Sequence, residues 1–454
     1  MNPELRTQNS KLRRHVILGA GTAGFNAITT LLSIQPEADV TLVSTEAPYA
    51  RMVLPYYLSS EIDESNVCTI SPERLEQLGV KLRLGSRAVG LDRAAKHLLL
   101  DGGDSLAYDD LLIATGSSAV RPPVTGLDGA GVHDHWTLAD TQALRRVVRP
   151  GAEVAVVGAG FISFTIVNPL LHAGCRLTLI EREPHVLPRM LNPAAAEVLE
   201  GWLRARSVSV HTGAKLERVE DAPGGGKRLL LGQPSRSSPV SHDAQLVIVA
   251  TGIKPNLDWL AGSGLQVERG IVVDEQLRSS DPAVYAAGDV TEVADLASGQ
   301  RAVMAIETAA MEQGRLVGAA MAGQPRVYSG GMLMNVIEAA RLQAASFGDW
   351  AGADATEGQA AGGHYRRYVW DGDRLAGAII VGPARQIASE NDMGMLKGLV
   401  QSRHPLGRWK ELLIERPFEV KKVFLAAGTV SALLPQTLLG APSQPLDNAL
   451  WMRG

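Results

Sequence analysis

One short pattern occurs twice in this chain, and that repetition limits its fold more than any other feature. His15-Val-Ile-Leu-Gly-Ala-Gly-Thr-Ala-Gly24 leads into an apolar-periodic stretch and then Val40-Thr-Leu-Val43. Val154-Ala-Val-Val-Gly-Ala-Gly-Phe-Ile-Ser163 leads into another, followed by Leu177-Thr-Leu-Ile-Glu181. Each reads as buried strand, glycine turn, helix and second buried strand, a βαβ unit built on a parallel sheet. Each copy also has a later strand ending in Ala-Thr-Gly, Leu111–Gly116 and Leu246–Gly252. Two dinucleotide-binding units of α/β class in one chain is the simplest reading.

The glycine spacing has a physical basis. The first glycine permits the tight turn, the second lets backbone approach a pyrophosphate, and the third position must be small for helix and strand to pack. The helix N-terminus then offers free N–H groups and the positive end of its dipole to phosphates. Gly19, Gly21 and Gly24 meet all three demands, and Gly158, Gly160 and Ser163 meet them with a small polar residue in third place. Glu181 ends the second strand of the second unit, where a carboxylate accepts hydrogen bonds from ribose hydroxyls and repels a 2′-phosphate. That favours NADH over NADPH, although Arg182 beside it works the other way. In the first unit Ser44 holds the equivalent place and Glu46 lies slightly beyond. A plain solvated loop acid is the alternative reading for both glutamates. A third signature, Val284-Tyr-Ala-Ala-Gly-Asp-Val290, is a buried strand ending in Gly288 and Asp289, and the stretch Ala302–Met321 after it reads as a helix. Alone it could be only a turn; in order after two Ala-Thr-Gly strands it is specific.

With these motifs in hand, the chain resembles the pyridine-nucleotide-dependent FAD oxidoreductases with two dinucleotide folds, from about His15 to Pro417. It looks most like their ferredoxin or rubredoxin reductase and nitrite-reductase-flavoprotein branch. The resemblance implies that Gly19, Gly21, Gly24, Glu46, Arg51, Ala88, Ala114, Thr115, Gly116, Gly288, Asp289, Thr308 and Ala309 hold FAD. In the same way it assigns Gly158, Gly160, Phe161, Ile162, Ser163, Glu181 and Gly252 to NADH. Ala88 would serve the adenine through its backbone, and Glu307–Ala309 would face the flavin ring. It further implies an NADH-dependent enzyme that passes electrons to a redox protein or a partner subunit, as a homodimer or within a complex.

The departures from that pattern are informative. The peroxidase and disulfide-reductase branch places a redox cysteine just before a Leu-Pro-Tyr. In Pro48-Tyr-Ala-Arg-Met-Val-Leu-Pro-Tyr56 that place falls to Met52. A thioether forms neither thiolate nor disulfide, so no thiol relay is expected there. Arg51 matches the flavin-side arginine of ferredoxin reductases, while Tyr56 and Thr165 stand where those proteins carry a lysine and a glutamate. Losing both together avoids an unpaired buried charge. Arg51, Tyr56 and Thr165 are accordingly expected near the flavin or nicotinamide, and no side chain is expected to act as a covalent catalyst. Pro169 falls inside the second glycine-loop helix, where an interior proline costs about 3 kcal/mol or kinks the helix.

Other residues carry less. His133-Asp-His135-Trp136 could suggest a metal or proton relay, but no third ligand lies near, and a solvated, partly packed linker is the simpler account; no metal site is expected. Cys68 and Cys175 are the only two cysteines and form no CxxC, which excludes a disulfide scaffold or cysteine zinc site. Both read as structural. A net charge of −4 gives no pull toward nucleic acid. No apolar run approaches the ~18 residues of a membrane span, and Met1–Arg14 lacks an export signal, so a cytoplasmic location is the expectation.

The expected architecture is two Rossmann-like domains plus a C-terminal α+β interface domain. FAD would occupy 1–125 with 250–325, NADH 126–249, the interface domain 326–425, and an apolar tail 426–454. Asp221–Asp243 reads as hairpin turns. Strands are expected at Met332–Ile337, Ala344–Gly348, Arg366–Trp370 and Gly377–Val381, then a helix at Ile387–Leu399. The apolar segment from Lys421 to Leu434 suggests docking on a second copy or a partner subunit, with membrane contact or ordinary packing as alternatives. Two other functions remain open: an oxidase or peroxidase acting on a small acceptor, and a non-catalytic FAD- and NADH-binding assembly or sensing module.

Overall fold

The computed structural model describes residues 12–233 and 238–429, so most of the tail from 426 on lies outside the described residues. They divide into two compact units. One holds the described residues through Val186 together with those of Ser207–Leu333; the other holds Leu187–Arg206 and the described residues from Met334 onward.

The duplication is visible as structure in the first unit. One parallel sheet runs in the order Val284–Ala286, Asp110–Ile113, Arg14–Leu18, Asp39–Ser44, Lys81–Leu84. The other runs Ser209–His211, Arg176–Ile180, Glu153–Val157, Leu246–Val249, Val132–Asp134. In each, the strand leading into the glycine turn sits between the strand that follows it and a later one. The strand order reverses there, and the crevice beyond the strands' carboxyl ends at such a switch point is where open α/β sheets take ligands. Val16, Ile17, Leu18, Val154, Ala155 and Val156 are all buried, as strands covered on both faces require.

Each copy also inserts a three-stranded antiparallel meander before its Ala-Thr-Gly strand. These are Ala88–Asp92, His97–Leu100 and Ser105–Ala107 in the first, and Lys215–Asp221, Lys227–Gly232 and Val240–Ala244 in the second. The second meander contains the hairpin turns expected in Asp221–Asp243.

Four local expectations need correction or refinement. The helix expected from Ala302 spans Glu307–Met321, because Arg301–Val303 is drawn into an antiparallel pair with Thr291–Ala294. The His133–Trp136 segment is not a solvated linker. Val132–Asp134 is an edge strand of the second parallel sheet, and His135 is buried. Pro169 is accommodated within the single helix Phe161–His172, one turn from its end, where few following residues depend on the broken ladder. In the second unit the strands fall at Met334–Ala339, Leu342–Gly348, His364–Asp371 and Arg374–Pro383. An unexpected fifth strand, Ala355–Ala360, forms one edge of that antiparallel sheet. Its Ala, Gly, Glu and Gln content carries little strand propensity, and pairing with His364–Asp371 overrides it. Helices Ile387–Ser402, Trp409–Glu415 and Val420–Ala426 follow the strands, and Pro193–Arg204 belongs to the same unit.

Candidate functional site: two glycine loops and the network between them

The two loops are built by equivalent hydrogen bonds. The Gly19 N–H donates to the Val43 carbonyl and Gly158 to that of Ile180; Ala114 donates to Leu18 and Ala250 to Val157. Gly19 and Gly158 have positive φ values of 113° and 94°, and a Cβ on them would lie 2.1 Å from the Ala114 oxygen and 2.4 Å from the Ala250 oxygen. A side chain is excluded twice, by conformation and by the neighbouring strand. Gly24 is excluded once: its Cβ would meet the Gly19 carbonyl oxygen at 1.9 Å. In the second copy Ser163 is fully buried and turns its hydroxyl back to the Gly158 carbonyl at 2.7 Å, so the small polar residue adds a tie across the turn.

The outer face of each loop is open. A Cβ on Gly21 or Gly160 would meet nothing within 4 Å, and neither following helix, Thr22–Ile34 or Phe161–His172, has a side-chain cap. Uncapped N–H groups, the positive end of a helix dipole and open space above the second glycine fit a pyrophosphate group in both places. The helix Glu307–Met321 is likewise uncapped, which leaves the amides of Thr308 and Ala309 free for a ligand. Glu307 at its first position is half-buried, which raises its carboxyl above the usual range, and Thr22 donates to it at 3.4 Å.

Residues from distant parts of the chain support the first loop. Asp289 accepts from the Ser117 hydroxyl at 2.5 Å. Gly288 donates to the Gln313 side chain at 2.7 Å, and Thr291 donates both to that same amide oxygen and to the Gly288 carbonyl. Asn256 clamps the Ala-Thr-Gly end through the Thr115 carbonyl, the Thr115 hydroxyl and the Gly116 carbonyl. Ser117–Ala119 pairs antiparallel with Ile253–Pro255, which brings the two Ala-Thr-Gly ends together. Gly252, with φ of 131°, stands at that crossing. Glu46 is half-exposed and accepts from the Tyr49 phenol at 3.2 Å, while the Leu138 N–H donates to the same phenol oxygen. Burial pushes the Tyr49 phenol up. Ala88 is buried and opens the first meander, paired with Leu100. Arg51 stacks on Trp136 with its guanidinium carbon 4.4 Å from the ring centre. Ser117, Gln313, Asn256, Tyr49 and Trp136 were not among the residues the sequence singled out for the site.

In the second copy the register aligns Glu181 with Ser44 of the first, since Val43 and Ile180 occupy matching places. Glu181 is 8% exposed, and its carboxylate accepts from the Ala159 N–H at 2.7 Å and the Glu183 N–H at 2.9 Å. It is therefore part of the loop's construction and not a solvated loop acid. Arg182 points away onto Glu183. Phe161 and Ile162 open the helix beyond Gly160, and Thr165 donates to the Ile162 carbonyl at 2.7 Å. The helix Leu54–Leu58, which carries Tyr56, packs against Phe161–His172, which carries Thr165.

Met52 and Tyr56 are 47% and 52% exposed. Cys175 is buried, which raises its thiol above the usual range. Cys68 is exposed and its backbone bridges to Tyr49, so it lies closer to the Glu46 corner than its place before the helix Pro72–Gln77 suggested. Among the described residues no group of three or more His, Cys, Asp or Glu is placed to hold a metal, and no helix is long and apolar enough to cross a membrane.

Known proteins resemble this chain in sequence and in fold. The chain is 27% identical over 434 residues to the NADH-dependent phenylglyoxylate dehydrogenase subunit epsilon of Aromatoleum evansii, covering 91% of this chain and 97% of that one. It is 32% identical to the rubredoxin-NAD(+) reductase of Pseudomonas putida, covering 68% and 80%. Among solved structures, putidaredoxin reductase in its covalent complex with putidaredoxin shares the fold with a TM-score of 0.81 at 23% identity, over 92% of this chain and 99% of that one. The model of the pyridine nucleotide-disulphide oxidoreductase family matches residues 13–314, the span that contains both loops and the Asp289 strand end. The chain belongs to that family, as an oxidoreductase whose cofactors are FAD and a pyridine nucleotide.

Proposed function

We propose that the protein takes reducing equivalents from NADH and hands electrons to a redox protein or a partner enzyme subunit, with no thiol in the relay. The observation that carries this reading is the joining of two complete glycine-loop units through the pairing of Ser117–Ala119 with Ile253–Pro255 inside one compact unit. FAD, when bound, supplies the conversion between two-electron and one-electron chemistry. The chain supplies position and charge. Gly19–Gly24 and the free amides of Thr308 and Ala309 receive anionic or polar groups, Asp289 offers its second carboxylate oxygen to hydroxyls, and Arg51 brings a positive charge to the same corner. Gly158–Ser163 takes the nucleotide phosphates. Glu181, fixed by two backbone amides, presents its remaining lone pairs to ribose hydroxyls and disfavours a 2′-phosphate. In domain terms FAD occupies 1–125 with 250–325, NADH occupies 126–249, and 326–425 serves as the interface domain.

Two relatives named as electron-transfer components support an acceptor that is a protein. These are the Pseudomonas putida reductase and an assimilatory nitrate reductase electron transfer subunit of Bacillus subtilis, 26% identical over 397 residues. The match to a dehydrogenase subunit over 91% of the chain favours a place within a larger enzyme. The discriminating test compares NADH-driven reduction of a one-electron acceptor such as cytochrome c with NADH-driven consumption of oxygen and of peroxide. Electron transfer predicts the first to be much the fastest. Oxygen or peroxide turnover that outruns it would assign the protein to the oxidases or peroxidases, and no NADH oxidation with any acceptor would leave a binding module.

A further inference from the structure

Arg51, Ser117, Trp136 and Asp289 come from four separate stretches of the chain and form one connected network. Trp136 donates its indole N–H to the Ser117 carbonyl at 2.6 Å. The same oxygen lies 3.5 Å from an Arg51 guanidinium nitrogen, while the Ser117 hydroxyl donates to Asp289. The Arg51 guanidinium sits over the Trp136 ring, 4.4 Å from its centre. Arg51 and Trp136 are both half-buried, and Arg51 has no carboxylate partner among the described ion pairs. The guanidinium also lies against the Tyr49 phenol, so its polar contacts are that neutral hydroxyl and one long hydrogen bond to a carbonyl, and a long, flexible cation held by no more than these would still sample several rotamers. The ring face supplies a cation–π attraction and a flat surface that selects one of them.

Trp136 is itself held on both sides. It follows the edge strand Val132–Asp134, and it precedes Thr137, whose capping box with Asp140 fixes the start of the helix Leu138–Val147. One residue further, the Leu138 N–H reaches the Tyr49 phenol, which bonds Glu46. The connector into the second nucleotide unit is therefore anchored at the Glu46 corner and at the Asp289 corner of the first.

We propose that Trp136 is a positioning residue: its ring fixes the Arg51 guanidinium at the flavin side of the site, and through Arg51 it raises the reduction potential of the bound flavin. This rests on the FAD placement argued above. A fixed positive charge favours the more negative, reduced form of a nearby group, and a charge free to swing into water does so less.

The test measures the midpoint potential of the flavin in the holoprotein for wild type, Arg51→Met, Trp136→Leu, Trp136→Phe and the Arg51→Met/Trp136→Leu double variant. Arg51→Met is expected to shift the potential to more negative values. Trp136→Leu should reproduce most of that shift, Trp136→Phe should retain nearly the wild-type value because it keeps a ring face, and the double variant should add nothing to Arg51→Met. If the leucine variant loses its FAD, Trp136→Gln keeps a donor for the Ser117 carbonyl without the ring and should show the same negative shift. A shift in Arg51→Met with none in the Trp136 variants, or shifts that sum in the double variant, overturns the positioning role alone. An unchanged potential in Arg51→Met overturns the FAD placement of Arg51 and the positioning role with it.

Discussion

Glu181 ties the second glycine loop together, and in the proposed function the same side chain sets nucleotide selectivity. Its two backbone acceptor bonds hold the turn between Ala159 and Glu183, and a buried carboxylate that accepts such bonds is costly to remove, about 1–3 kcal/mol for the groups left unsatisfied. Glu181→Ala is expected to narrow the preference for NADH over NADPH, read as the ratio of kcat/KM values, and to lower Tm. A wild-type protein faster with NADPH would contradict the ribose argument. Asp289→Ala should reduce the ratio of bound FAD to protein, since Asp289 is both a candidate ligand and the acceptor that fixes Ser117; undiminished flavin content would remove it from the site. His135 is a separate titration. Burial lowers its pKa to about 4 from an ordinary value near 6.5. Because the unfolded chain binds a proton that the folded one refuses, its contribution is fully present above about pH 6.5 and is lost as pH falls toward 4, by up to about 3 kcal/mol. His135→Gln should therefore lose less stability than wild type between pH 7 and pH 5, measured by denaturant unfolding at each pH. An equal loss in both would show that His135 is not held neutral. At this scale the glycines and Glu181 were legible because each lies in one contiguous string with a fixed spacing. Ser117–Asp289 and Thr115–Asn256 were not, because those partners are 172 and 141 residues apart and meet only when the strand ends converge.

At the scale of elements, the pairing of helix Glu307–Met321 with helix Thr22–Ile34 sets the geometry of the first loop. A Cβ on Gly314 would lie 2.2 Å from the Ala23 carbonyl oxygen, and one on Gly318 would lie 2.4 Å from that of Ala27. The two backbones thus approach along a face of small residues, and both helix starts are brought to the same place. Gly314→Ala forces the helices apart and should cost about 1–3 kcal/mol, together with a lower FAD content. Gly201→Ala is the contrasting case: it lies on the helix Pro193–Arg204 with nothing within 4 Å of its added Cβ, and should raise stability by about 0.5–1 kcal/mol. A Gly314→Ala protein as stable and as flavin-rich as wild type would show that this contact does not set the site. The strands of both parallel sheets were legible as short apolar runs bounded by turn residues. The early end of the expected helix at Ala302 was not, because Arg301–Val303 has an apolar pattern that suits either structure, and only its neighbour Thr291–Ala294 decides. The edge strand Ala355–Ala360 escaped notice for the same reason: pairing, not propensity, makes it a strand.

For the whole molecule, the internal repeat was readable because two copies of one pattern check each other. Gly19 and Gly158, Ala114 and Ala250 turned out to make matching bonds. Tyr49 of the first copy and the connector residue Trp136 were opaque because neither lies in the repeated string; they act where the copies join. The proposed relay without a thiol also belongs to this scale, since it depends on where both cysteines lie. Cys175 is buried, whereas Cys68 is exposed and bridged to Tyr49, so its exclusion rests on experiment. The direct measurement is anaerobic mixing of NADH with the FAD-loaded Cys68→Ser/Cys175→Ala double variant. The account predicts loss of the flavin's visible absorbance, and its return when a one-electron acceptor is added. A folded, fully FAD-loaded double variant whose spectrum NADH leaves unchanged, beside a wild type that bleaches, would contradict it and place a cysteine in the path of the electrons.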